Sequence, residues 1–152
     1  VAVIAGNEGG TQADARRDGA KEAFEAAGYD VVAVEQCDFD VQKAYDAATA
    51  IIEANPDLAG IACGNDDMAL GVYDYYKEKN LKLPVIIGIN NSEEMHQKIM
   101  SGEMYGTIDN KMEDQVMEIC RLMQAILKKD TGSYQKVWYS TPKAIVKAEG
   151  TE

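Results

Sequence analysis

The sequence runs to 152 residues, 46% hydrophobic and 27% charged, with a formal charge of −11. That length suits one domain, able to bury about two-thirds of its unfolded surface; no apolar run approaches the roughly 18 residues of a membrane span, and no basic-then-apolar leader is expected at Val1. Nucleic-acid binders gather Lys and Arg on one face, so a chain this acidic is not expected to track phosphates, and nucleic acid is not an expected partner.

Val1 to Ala5 is a continuous apolar run of the kind a strand buried on both faces requires, and Gly6-Asn-Glu-Gly-Gly10 turns the chain after it. Thr11 is expected to cap a helix in which Ala13, Ala20, Ala23, Phe24 and Ala27 recur near helical spacing, with Gly28 as its left-handed C-terminal residue. The unit then repeats. Strands are predicted at Val31 to Val34, Leu58 to Cys63, Val85 to Ile89 and Met104 to Ile108, with helices at Val41 to Ala54, Asp67 to Lys79 and Glu93 to Met100. Strands alternating with helices mean right-handed crossovers and an α/β fold: three layers, a mostly parallel sheet with helices on both faces. After Asn110 the pattern changes, because Met112, Val116, Ile119, Met123, Ile126 and Leu127 draw an apolar stripe along one long helix. Lys136 to Tyr139 and Ala144 to Val146 read as short strands.

Cys37, Cys63 and Cys120 are widely spaced and lack a C-x-x-C pair; with His96 the only histidine they are expected to be buried thiols rather than metal ligands. Catalysis is also poorly provided for. The glycine turn lacks both the G-x-G-x-x-G order and the Gly-Lys-Ser/Thr of phosphate loops. His96 lies among Glu93, Glu94 and Lys98, as a solvated helix residue would, and no serine or cysteine has an evident base. Asp66 and Asp67 sit where a helix dipole already favours carboxylates, which weakens a metal reading. Tyr73, Tyr75 and Tyr76 read as core and rim packing. Neither enzyme activity nor a cofactor is expected.

In an open parallel sheet, ligands bind beyond the carboxyl ends of the strands. Those ends are polar here: Asn7 and Glu8, with Arg16 in the following helix; Asn65, Asp66 and Asp67; Asn90 and Asn91; Asp109 and Asn110. Any one of these could simply cap the next helix, and Arg16 could be a solvated charge beside Arg17. Capping does not, however, predict asparagine at three successive strand ends. Amides offer paired donors and an acceptor, which suits hydroxyls.

The stretches Ala13-Asp-Ala-Arg16-Arg-Asp-Gly19, Cys63-Gly-Asn65-Asp66-Asp-Met-Ala-Leu-Gly71, Ile87-Gly-Ile-Asn90 and Gly106-Thr-Ile-Asp-Asn110 stand in an order and spacing that resemble ribose-, allose- and galactose-type periplasmic binding proteins. The resemblance covers essentially the whole chain and implies its C-terminal lobe, flavodoxin- or Rossmann-like, with a sugar or similar polar solute held between two lobes. It implies Arg16, Asn65, Asn90 and Asn110 as ligand-binding residues, and no catalytic residue. It implies residues 1–110 as the α/β ligand-binding lobe, and residues 111–152 as a long helix and short strands that pack partly on an absent N-terminal lobe. For the full-length protein it implies an ABC permease, and in some cases a chemoreceptor, as partners, in an extracytoplasmic location. Two departures stand out. The family usually has aspartate where Asn90 stands, a charge-assisted acceptor worth about 1–2 kcal/mol more than an amide, and Ile89 cannot stack on a sugar. A similar Asn-Asp-x-Met-Ala-x-Gly stretch occurs in effector-binding cores of lactose-repressor-type regulators, the rival reading. Without its partner lobe, the Met112 to Leu127 stripe is expected to be exposed, leading to a homodimer, a swapped element or an altered path of that helix.

Overall fold

The computed structural model describes residues 1–130, 132 and 139–147. The elements run β1 (Ala2–Ala5), α1 (Thr11–Ala26), β2 (Ala33–Gln36), α2 (Val41–Ala54), β3 (Gly60–Cys63), α3 (Asp66–Glu78), β4 (Val85–Ile89), α4 (Glu93–Met100), β5 (Gly106–Asp109), α5 (Met112–Leu127) and β6 (Lys143–Val146). Residues 136–138 of the strand expected at Lys136 to Tyr139 lie outside the described residues. Among the described residues no helix is long and apolar enough to cross a membrane.

One sheet holds the six strands in the order β2-β1-β3-β4-β5-β6. The first five are parallel, and β6 runs antiparallel along β5 with Thr107 opposite Ile145. Right-handed crossovers put α1 on one face of the sheet, because β1 to β2 steps one way, and put α2, α3 and α4 on the other, because the later steps go the opposite way. The direction reverses between β1 and β3, and a crevice opens there at the carboxyl ends of the strands.

The two faces are unequally covered. Ile4, Ile61 and Ile86 on the central strands are 0–1% exposed, and Ala44, Ala48, Ile51 and Ile52 of α2 close over them together with α3. Each such side chain contributes about 1.5–3 kcal/mol by leaving water. Helix α3 is buried nearly all round, from Met68 through Tyr76, and its three tyrosines are core residues as expected. Gly71 lets α2 and α3 touch: a Cβ there would lie 2.3 Å from the Val41 carbonyl oxygen. On the opposite face only Ala13 of α1 is buried. Beside it the sheet leaves a groove of about 240 Å³ lined by Val3, Ala62, Ile87, Ile89 and Ile108 among others. Helix α5 buries only Ala125, while Met112, Val116, Ile119, Met123 and Ile126 are each more than half exposed.

Three expectations are corrected. Thr11 does not cap α1; the left-handed Gly9 turns the chain so that Gly10 is the N-cap, its carbonyl accepting from Asp14 N–H at 2.8 Å. Strand β2 lies two residues later than its apolar run. Pairing with β1 sets the register, Ala2 with Ala33 through Ala5 with Gln36, and an edge strand can end on exposed Glu35 and Gln36. Cys120 is exposed, because α5 packs on so little, whereas Cys37 and Cys63 are buried.

Candidate functional site

Helix α1 brings Arg16 across the crevice. Its Nη1 donates to the Gly64 carbonyl at the end of β3 at 2.6 Å, and its Nη2 lies 3.5 Å from Asn90 Oδ1 at the end of β4. From the end of β5, Asn110 Nδ2 donates to the same Asn90 oxygen at 2.8 Å. Side chains from α1 and from the end of β5 thus converge on one amide at the end of β4. Burial draws the Arg16 pKa down, and the charge of Asp66 partly offsets that effect. Its neighbour Arg17 is a different kind of residue, held by Asp14 and Asp18 on the helix surface.

Asn65 does not join this cluster. It is 6% exposed, and its Oδ1 accepts from Met68 N–H at 3.0 Å, which makes it the N-cap of α3. Capping is the simpler of its two sequence readings, and here the backbone of the preceding Gly64 supplies the contact to Arg16. Asn90 and Asn110 are not caps. Ser92 caps α4, and Asp109 takes the Lys111 N–H at 2.8 Å, so both amides are left to face the crevice.

Asp66 organises the loop that carries Asn90. The first residue of α3, it is 1% exposed, accepts from Thr107 Oγ1 at 2.6 Å and from Ser92 N–H at 2.7 Å, and so ties α3 to β5 and to the start of α4. Gly88 makes room for it: a Cβ there would sit 2.2 Å from Asp66 Oδ1. Asn90 and Asn91 have φ of 126° and 56°, and Asp38, Phe39 and Lys111 at other strand ends are also left-handed. Strain of this kind persists where surrounding contacts over-determine it, and it gathers at functional sites. His96, half-buried, shares a hydrogen bond of 2.9 Å with Asn91 Oδ1, so it belongs to this loop's support rather than to free solvent.

Phe39 is the residue that sequence reasoning missed. It follows β2, and its ring presses on Gly6 at the end of β1, so closely that a Cβ on Gly6 would overlap it. The apolar run ends at Val34, two residues short of the end of β2, so Phe39 does not stand out as a strand-end residue, although Cys37-Asp-Phe-Asp40 sets an aromatic between carboxylates just where the strand ends.

A family described as a periplasmic binding protein domain matches residues 1–131. The chain is 36% identical over 110 residues to the D-allose-binding periplasmic protein of Escherichia coli (strain K12), covering 71% of this chain and 35% of that one. It is 30% identical over 113 residues to the ribose import binding protein of Haemophilus influenzae, covering 74% of this chain and 38% of that one. Among solved structures it resembles an ABC transporter periplasmic solute binding protein from Actinobacillus succinogenes with bound D-allose, with a TM-score of 0.88 and 26% identity, over 96% of this chain and 52% of that one. The chain therefore spans about a third of the curated relatives' length in those alignments, and half of the solved relative.

Proposed function

Because the chain belongs to the periplasmic binding protein domain family, we propose that it is one wall of an interlobe cleft that binds a small sugar or related polyhydroxylated solute for import through an ABC transporter. The observation that carries this reading is the convergence of Arg16, Asn90 and Asn110 on one point beyond the carboxyl ends of β3, β4 and β5. A guanidinium offers a rigid fork of donors and each amide a donor and an acceptor, which is what vicinal hydroxyls require. Phe39 would supply the apolar ring face, and Asp66 would hold the Asn90 loop in place without touching solute. Asn65 keeps a secondary part through its cap and the backbone beside it.

The exposed stripe of α5 supports a second part of the proposal, that residues 111–152 pack partly on an N-terminal lobe. Lobe closure on solute would then present a surface to a membrane permease, in an extracytoplasmic setting. The rival reading, an effector core of a repressor, gains nothing from relatives named as import binding proteins. Those relatives are binding proteins, so non-enzymatic recognition is the chemistry proposed here too.

Half a cleft binds weakly, on the order of 1 mM or worse, so the test is two-dimensional nitrogen–proton NMR of this chain with pentoses, hexoses and polyols at high concentration. Shifts should be confined to residues 6–10, 38–40, 64–67, 89–92 and 109–111. Arg16→Ala and Asn110→Ala should weaken them about tenfold, as the loss of a charged or paired hydrogen bond does. Shifts centred on the opposite end of the sheet, or no shift with any solute, would sink the reading.

A further inference from the structure

We propose that the solute this cleft takes is a sugar acid, a polyhydroxylated carboxylate, rather than a neutral sugar. The inference rests on reading the strand ends as a solute cleft, and it is carried by the charges around Arg16. The neighbouring cations are matched: Arg17 by Asp14 and Asp18, Lys111 by Asp109. Arg16 has no ion-pair partner within 4 Å among the described residues. Among the described residues the carboxylate whose charge acts on it is Asp66, and that group is buried with its two oxygens engaged by Thr107 and Ser92. What Arg16 faces at the end of β4 is an amide oxygen, held at 2.8 Å by Asn110 and only at 3.5 Å by Arg16 itself.

A half-buried guanidinium opposite neutral amides has lost part of its hydration without gaining a carboxylate in contact, and the charge of Asp66 offsets that loss only in part. A hydroxyl can accept from it but brings no charge; a carboxylate brings both, in the planar geometry that matches the fork. Asn90 and Asn110 are then left for the hydroxyls. The formal charge of −11 does not decide against this, because exposed charges are largely screened beyond about 8 Å at physiological ionic strength, whereas Arg16 would meet its ligand in contact.

The experiment compares matched pairs by NMR titration of the chain at constant ionic strength: D-glucuronate against D-glucose, D-galacturonate against D-galactose, and D-gluconate against D-glucitol, with acetate as a simple anion. The expected result is at least one acid that moves the Arg16 Nε–H and the Asn90 and Asn110 amide signals with about five- to tenfold tighter binding than its neutral partner. Asn90→Asp, which sets a carboxylate beside Arg16, should abolish that preference or reverse it. Neutral members binding as well as their acids would overturn the inference and leave the cleft reading standing. Acetate binding as tightly as the acids would overturn it in favour of a bare anion contact. No shift at these signals with any probe would overturn both.

Discussion

The Asp66 carboxylate and the Thr107 hydroxyl, 41 positions apart in sequence and 2.6 Å apart in space, lock the start of α3 to the middle of β5 beneath the crevice. Removing one partner from a buried pair exposes the cost of desolvation. Asp66→Ala would leave the Thr107 hydroxyl and the Ser92 N–H without this acceptor and should destabilise the chain by about 2–4 kcal/mol in urea denaturation. Asp66→Asn keeps the shape, can still accept from Ser92, and should lose about 1 kcal/mol. An alanine variant as stable as the parent would show that the pair does not organise the loop.

The same residue sets a pH dependence with an unusual sign. Burial raises its pKa above the ordinary aspartate value, although the hydrogen bonds from Thr107 and Ser92 oppose that. The folded state therefore holds the proton more tightly than the unfolded one. As pH rises from below the unfolded value of 3.8 through the raised folded value, Asp66 costs stability, and the cost is complete above the folded value. Denaturation midpoints of the parent, measured from mild acid to neutrality, should fall relative to those of Asp66→Asn over this window. Parallel curves would count against a raised value.

Gly71 sets the spacing of α2 and α3. Gly71→Ala would drive a methyl group to 2.3 Å from the Val41 carbonyl, a backbone atom that cannot swing away, and should lower stability by about 1–3 kcal/mol. Thermal unfolding of this variant beside Gly19→Ala, where nothing lies within 4 Å, separates crowding from helix propensity. Equal midpoints, or a higher one for Gly71→Ala, would refute the close packing.

The stripe on α5 should make the chain self-associate. Light scattering over a wide concentration range is expected to show dimers or larger species, and Val116→Lys with Ile119→Lys should return the chain to a monomer. A monomeric parent at high concentration would refute self-association through the stripe.

The cysteines should react very unequally. Burial raises Cys37 to about 11 and pushes Cys63 higher still, while Cys120 lies exposed on α5. At pH 8 an aromatic disulfide reagent should titrate one thiol rapidly and the other two only after denaturant is added. Three fast thiols in the native chain would contradict the buried positions.

Where one physical signal dominated, the sequence was a good guide. The bounds of α2, β4, α4 and α5 are those predicted from the spacing of apolar residues, and the parallel sheet follows from their alternation. It misled where tertiary pairing outweighs local pattern. Register with β1 carried β2 past its apolar run, and that hid Phe39; the Gly9 turn displaced Thr11 from its cap. The strand-end amides were legible as a group, but their division of labour was not. Nothing in the composition separates Asn65, folded back on its own helix, from Asn90 and Asn110, which reach toward one another. Asp66 read as a helix-start carboxylate because its two partners come from β5 and α4.

The unequal cover of the two sheet faces has a consequence for how the chain opens. Amide protons on α2, α3 and the central strands should exchange with solvent only through global unfolding, while those on α1 and α5 open by local fraying at far lower free energy. Arg16 rides on the face that opens easily, and Asn65 and Asp66 on the one that does not. A bound solute would bridge the two, so its clearest signature need not be a change of shape: it would be slower hydrogen exchange along α1, measured on a backbone that has hardly moved.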